Sequence, residues 1–358
     1  MYTINGKFIP NNSDKKFKLL GVKPVITDLE LPTITGKENN LESLQKGSII
    51  HKTVRKIIQP MIQPGMKLSE LTEKIETTIK NILGNSKYCT NSGIGFPPSL
   101  SISDCAAHFN PDKKLDKVLK CNDNIKVDFG VEINGWIVDC AFTGYFDEKY
   151  DPLHQAVKEA TFTGIKNAGV GVYIKDWAKD IQEVMESYEM EYNGDIVPIY
   201  SVKNLGGHNI LKGHIHGGIF LPSFHYPLYP KHLRFDNGVY AIETFGCVGS
   251  DNVVENPEKN TIYMWKNHNY EHLLKSNIIK KNSNRIYNKF RTLPFCNRFV
   301  DNIISKKPRT TLKNLVNKNI ITPYPPFYSD NGGMTAQYEH TIVLKNDKKY
   351  VVSQGEDY

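Results

Sequence analysis

The sequence predicts an α+β body with an inserted helical subdomain, and three observations lead there. Apolar residues recur at helical spacing over Leu41–Leu83 and again through 151–191. Short strand-like runs punctuated by glycine and proline fill the stretches 93–145 and 196–248. From roughly Tyr270 to Ile321 the chain is helical, basic and rich in asparagine, and a further strand-like run, TAQYEHTIVL, follows it.

In chain order, a loose arm covers residues 1–40, and residues 41–358 are expected to form the folded body. The run LESLQKGSIIHKTVRKIIQPMI places Leu44, Ile49, Val54, Ile57 and Ile58 near one helical face, and Pro60, Pro64 and Gly65 break it. A second helix opens at Ser69 and Glu70 and repeats Leu71, Ile75, Ile79 and Ile82. GIGFPPSLSIS reads as strand, followed by the hairpin KVDFGVEINGWIVDCAF and two helices, DPLHQAVKEATFTGIKNAG and KDWAKDIQEVMESYEME. Strands return at IVPIYSVKNLGGH, GGIFLP, GVYAIETFG and HTIVL. Phe290, Leu293, Phe295, Phe299, Leu312 and Leu315 supply the apolar face of the inserted helices.

Composition narrows the class. In 358 residues, 39% hydrophobic and 23% charged content belongs to a globular chain able to bury a large core. The first twenty residues lack the apolar run of a secretory signal, and no apolar stretch reaches membrane-spanning length. The six cysteines stand singly without a CxxC pair, as expected of reduced thiols in a cytoplasmic protein. A net charge of +7 concentrates in runs such as KSNIIKKNSNR and ISKKPRTTLK. A solvated lysine-rich face explains these runs; contact with a polyanion such as ribosomal RNA is the sharper alternative, and no aromatic-interleaved motif supports it.

The chemistry starts in the hairpin. Asn134-Gly135 is a strong two-residue turn signal, and it sets Ile133 opposite Trp136 and Gly130 opposite Asp139. Alternation then puts Asp128, Gly130, Glu132, Ile137, Asp139 and Ala141 on one face and an apolar set on the other. Two carboxylates converging in an apolar strand pair repel unless a cation lies between them. No arginine occurs between Arg55 and Arg234, so the choice is a lysine or a metal, and a metal better satisfies both groups.

His208 in NLGGHNI, Glu243 in VYAIETFG and Glu339 in TAQYEHTIVL are ionisable residues among apolar neighbours. Each alone reads as a satisfied core residue. With the aspartates they make an oxygen-rich set with one imidazole, suited to two adjacent divalent ions sharing carboxylates and a bridging hydroxide. His108 in DCAAHFN and His216 in GHIHGG are candidate neutral donors beside such a centre, or core histidines with no role.

The stretches GFPPSLSISDCAAHF, KVDFGVEINGWIVDCAF, NLGGHNI, HIHGG, VYAIETFG, PYPPF and TAQYEHTIVL, with the closing VVSQGEDY, resemble the type 2 methionine aminopeptidases. The resemblance runs from about Leu41 to Tyr358. It implies a pita-bread fold, a curved antiparallel sheet flanked by helices around a dinuclear metal site, with a helical insertion over about 265–324. The implied ligands are Asp128, Asp139, His208, Glu243 and Glu339, with Asp139 and Glu339 bridging two ions of Mn, Fe, Co or Zn. His108 and His216 fall on the family's two active-site histidines, and Phe96, Ile215, Phe245 and Tyr324 on its methionine pocket.

The implied activity is removal of the initiator methionine from new cytoplasmic proteins when the second residue is small. A metal-bridged hydroxide attacks the first peptide bond, His216 steadies the oxyanion and Glu243 shuttles the proton. The resemblance also implies a monomer and alkylation of His108 by fumagillin-type inhibitors, and the lack of a membrane-spanning apolar run leads us to expect no membrane contact. Two departures stand out. The arm of about forty residues is shorter than the family's charged N-terminal extension, which leaves contact with the ribosome open, and Ile262 stands where several relatives carry histidine. The competing readings are a non-catalytic pita-bread module that binds RNA or protein, and a proline-directed peptidase of the same fold.

Overall fold

The computed structural model describes residues 3–4, 7–8, 16–19, 40–84 and 92–358, so most of the 1–40 arm and Cys89 lie outside the described residues. Two antiparallel sheets carry the body. The first joins β1 (Ser92–Ile102), β2 (Asn124–Ile133) and β3 (Trp136–Tyr145). The second, of seven strands, is built around β4 (Gly206–Ile210), β5 (Gly238–Val248) and β8 (Thr335–Lys345). Helices α1 (Asn40–Ile58) and α2 (Leu68–Gly84) cover the first sheet, and α3 (Asp151–Asn167) and α4 (Ile174–Met185) cover the second. Helices flanking a curled antiparallel sheet are the arrangement expected of the pita-bread fold.

The β2–β3 register follows from its turn. Asn134 and Gly135 both hold positive φ, 53° and 85°, as a twist-matched two-residue turn requires. Ile133 pairs with Trp136 and Gly130 with Asp139. Val127, Phe129, Val131 and Ile133 are all fully buried on the helix-covered face, which leaves the aspartate face to line the cleft.

Helix α1 departs from the expected face. Ile49 and Ile57 are 65% and 38% exposed, whereas Leu44, Gly47, Ser48, His51, Val54, Arg55 and Ile58 are buried. Leu44, Val54 and Ile58 are buried as expected, but at Gly47, where a Cβ would lie 3.0 Å from Val138 Cγ2, the sheet comes close enough to favour glycine. The tail of KDWAKDIQEVMESYEME also differs, since Glu189–Tyr192 forms a strand paired with Asp195–Ser201.

The basic segment folds as α5 (Asn277–Phe290), α6 (Asn297–Ile303) and α7 (Pro308–Asn317) around its own apolar cluster of Trp265, Tyr270, Ile286, Phe295, Leu312 and Leu315. Its neck is a sheet rather than helix: β6 (Ile262–Trp265) pairs with β7 (Ile321–Tyr324) and with Phe295–Cys296. The pairing of Ile262 with Tyr324 brings both side chains to the cleft. Among the described residues no helix is long and apolar enough to cross a membrane, and no disulfide joins the five described cysteines.

Candidate metal centre

Neighbouring strands position the candidate ligands. Asp128 on β2 and Asp139 on β3 are a diagonal pair across the hairpin. Glu243 on β5 lies directly opposite Glu339 on β8. His208 on β4 is held between Ala241 and Phe220. The glycines before it allow that depth, because a Cβ on Gly207 would sit 2.2 Å from Ala241 O.

All five sequence-derived candidates come together. Ligand atoms of Asp139, His208 and Glu339 lie within 4.8 Å of one another, as do those of Asp128, Glu243 and Glu339. Glu339 is common to both trios. His208 Nε2 is 3.5 Å from Asp139 Oδ2. Asp139, Glu243 and Glu339 are buried, and Asp128 is half-buried at the cleft.

Among the described residues no lysine or arginine offsets these acids. Lys126 shares a strand face with Asp128, but its ammonium donates to Ser103 O at 2.8 Å and Thr335 O at 3.1 Å. Asp128 Oδ1, Asp139 Oδ1 and both Glu339 carboxylate oxygens are buried without a hydrogen-bond partner. Burial, reinforced by the other carboxylates, holds Asp128, Glu243 and Glu339 well above the usual carboxylate range. Burial also pushes Asp139 up to about 7. Orphaned, mutually repelling carboxyl oxygens with one imidazole fit divalent cations, so the residues present suit the ions the sequence implies.

The two further histidines flank this cluster. The His216 ring meets that of His208 edge-on at 4.6 Å, and both His108 and His216 lie 5.9 Å from the Tyr324 ring. His108 adopts φ 64°, an uncommon left-handed conformation that turns its ring into the cleft, and its buried Nδ1 has no partner. Burial lowers His108 and His208 to about 4, and His216 to about 3 with help from His208, so all three are neutral near pH 7.

Phe96, Ile215 and Tyr324 line a partly open cavity of about 80 Å³ beside the acids, together with Ile262, Pro97, Ser99 and Pro294. Phe245 instead lines an adjoining, wider cavity of about 310 Å³, with Phe220, Glu255 and Phe327. Gln337 was not among the sequence candidates, yet its Nε2 donates to Glu243 Oε1 at 2.6 Å. Its position two residues before Glu339, hence on the same strand face, was the available signal.

Comparison with known proteins shows the family and the fold. The model of metallopeptidase family M24 matches residues 42–272. A methionine aminopeptidase 2-2 of Aspergillus niger is 42% identical over 328 residues, covering 90% of this chain and 75% of that relative. Among solved structures, a thermophilic Arx1 superposes with a TM-score of 0.73 at 15% identity, over 89% of this chain and 91% of the other. A methionine aminopeptidase from Thermotoga maritima gives 0.60 at 16% identity, over 89% and 98%. At those identities the structural likeness speaks for the fold alone.

Proposed function

The chain belongs to the type 2 methionine aminopeptidases of metallopeptidase family M24, and from that premise we propose that Asp128, Asp139, His208, Glu243 and Glu339 hold two divalent ions (Mn, Fe, Co or Zn) in a site that removes the initiator methionine. The observation that carries the reading is the convergence of these five side chains with four carboxyl oxygens left unpartnered. In this reading Glu339, common to both trios, would help to hold both ions, and Asp139 would join it as the family resemblance implies. When bound, the ions supply Lewis-acid polarisation of a carbonyl and an acidified water at neutral pH.

The rest follows from the chain's own groups. The smaller cavity takes the unbranched thioether of methionine against Phe96, Ile215, Ile262 and Tyr324. Ile262 keeps that wall apolar, so histidine is not required there. The wider cavity, with Phe245, takes the residues that follow. His216, neutral near pH 7, donates one N–H toward the carbonyl oxygen as it gains charge. Glu243, fixed by the Gln337 amide, moves the proton from nucleophile to leaving amine. His108 faces the scissile bond from the other wall and is the nucleophile exposed to fumagillin-type alkylators.

The substrates are new chains whose second residue is small, met in the cytoplasm by a monomer, with the ribosome as an additional partner. Residues 265–324 serve as the insertion that walls one side of the cleft through Tyr324. The test is hydrolysis of Met-Ala-Ser and Met-Gly-Met with added Mn or Co, beside an X-Pro peptide. Cleavage of the methionyl peptides alone is expected. Folded, metal-loaded protein that leaves Met-Ala-Ser intact contradicts the proposal.

A further inference from the structure

The two carboxylates shared between the proposed ions sit on strands that belong to different sheets. Asp139 is on β3 and Glu339 on β8, and no main-chain ladder joins these strands. Buried strand edges left in that state carry main-chain groups that need partners. Here single hydroxyls supply them in both senses. Thr341 Oγ1 accepts from the Asp139 N–H at 2.8 Å and donates to Asp139 O at 2.6 Å. Thr143 Oγ1 treats Gln337 the same way, at 2.8 and 2.6 Å. The Tyr358 phenol accepts from the Glu339 N–H at 2.6 Å and donates to Glu339 O at 2.9 Å. A hydroxyl has one proton and two lone pairs, so each can close such a ring alone.

With both main-chain groups of Glu339 directed at the phenol, Glu339 and Glu243 face each other without exchanging main-chain bonds. That is the kind of antiparallel pair in which opposing side chains come closest. The phenol is itself fixed. Tyr358 is fully buried, its ring stacked on His340 at 4.2 Å and against Tyr338 at 5.3 Å. The Arg55 guanidinium lies 5.6 Å over that ring, binds Asp357 through two bonds of 2.9 and 3.0 Å, and donates to Ser353 O. Gln59 Nε2 adds a bond to Asp357 at 2.7 Å. Helix α1 thus clamps the 353–358 segment, and that segment clamps Glu339.

We propose that the hydroxyls of Tyr358 and Thr341 are positioning groups for the metal centre, setting the main chain of Glu339 and Asp139 and so the separation at which their carboxylates meet the ions. The inference rests on the two-ion reading above. Neither hydroxyl touches substrate, and both act through the carboxylates. The Arg55–Asp357 pair makes helix α1 a third support at one remove.

The test is a Co(II) titration of the metal-free full chain, followed by calorimetry and visible absorption, on wild type, Tyr358→Phe, Thr341→Val and Thr341→Ser. Tyr358→Phe keeps the ring contacts and removes only the hydroxyl. The expected result is binding of at least one ion weakened about 10- to 100-fold, the range for partners that orient metal ligands. An altered Co(II) spectrum at saturation and a lower kcat on Met-Ala-Ser at unchanged KM should accompany it. Thr341→Val should behave alike through Asp139, and Thr341→Ser should restore both affinity and spectrum. Wild-type affinity and spectrum in Tyr358→Phe and Thr341→Val would overturn the inference and leave the metal centre standing. If Tyr358→Phe does not fold, the Thr341 pair decides. A wild type that takes up no Co(II) overturns the metal reading and this inference with it.

Discussion

Replacing Asp139 by asparagine should make the metal-free protein more stable at pH 8 while removing its response to metal. Asp139 is 4% exposed and its Oδ1 has no partner. Burial moves its carboxyl from 3.8 to about 7, which corresponds to roughly 4 kcal/mol. The folded chain therefore holds this proton more tightly than the unfolded chain does. Its contribution to stability is present in full below about pH 4 and is lost as pH rises through about 7. Asparagine keeps the shape without the charge, at a cost of about 1–2 kcal/mol for an incompletely bonded amide. The net gain at pH 8 is about 2–3 kcal/mol, or a Tm higher by roughly 3–4 °C for a chain of this size.

Thermal melts in chelator at pH 5 and pH 8, with and without added Mn, are the assay. The variant should melt above wild type at pH 8 without metal. At pH 5, where Asp139 is largely protonated, that advantage should disappear. Added Mn should raise wild type and leave the variant nearly unchanged. A variant less stable than wild type at pH 8 without metal, or one that keeps the wild-type gain from Mn, refutes the reasoning.

Three other outcomes follow from the same structure. His216→Ala should lower kcat on Met-Ala-Ser by about 100-fold with KM little changed, the effect of losing one oxyanion donor, and steady-state kinetics read it. Gly130→Ala places a Cβ 2.3 Å from Phe96 Cε1 in the proposed methionine pocket, so KM should rise and stability fall by about 1–3 kcal/mol, measured by kinetics and urea melts. Asp357→Ala leaves the Arg55 guanidinium, with no exposed side-chain surface, short of its counter-ion, and chemical denaturation should show a loss of about 3–5 kcal/mol.

The half of the site that follows from local rules was readable in the sequence. Asn134-Gly135 fixed one register, and that register alone placed Asp128 and Asp139 on a common face. The glycine pair before His208 marked a strand under close approach from its neighbours. What could not be read depends on distant contacts. The apolar Ile49 and Ile57 look like core by spacing with Leu44, Val54 and Ile58, but the helix turns Gly47, His51 and Arg55 inward instead, and at Gly47 the sheet comes within 3.0 Å of where a Cβ would lie. The strands at the neck of the basic segment are short, and Ile262 meets Tyr324 only across the whole insertion. The hydroxyls of Thr341 and Tyr358 carry no local pattern at all. Thr341 meets Asp139 at a separation of 202 residues, and nothing within either strand announces the meeting.

The central claim is that five side chains from two sheets hold a pair of ions between Asp139 and Glu339. Anomalous diffraction from crystals of the Co- or Mn-loaded protein tests it most directly. The account predicts two peaks about 3.5–4 Å apart, one beside His208 and one beside Asp128, with Asp139 and Glu339 reaching both. Absence of both peaks, or peaks placed away from these carboxylates, would contradict it.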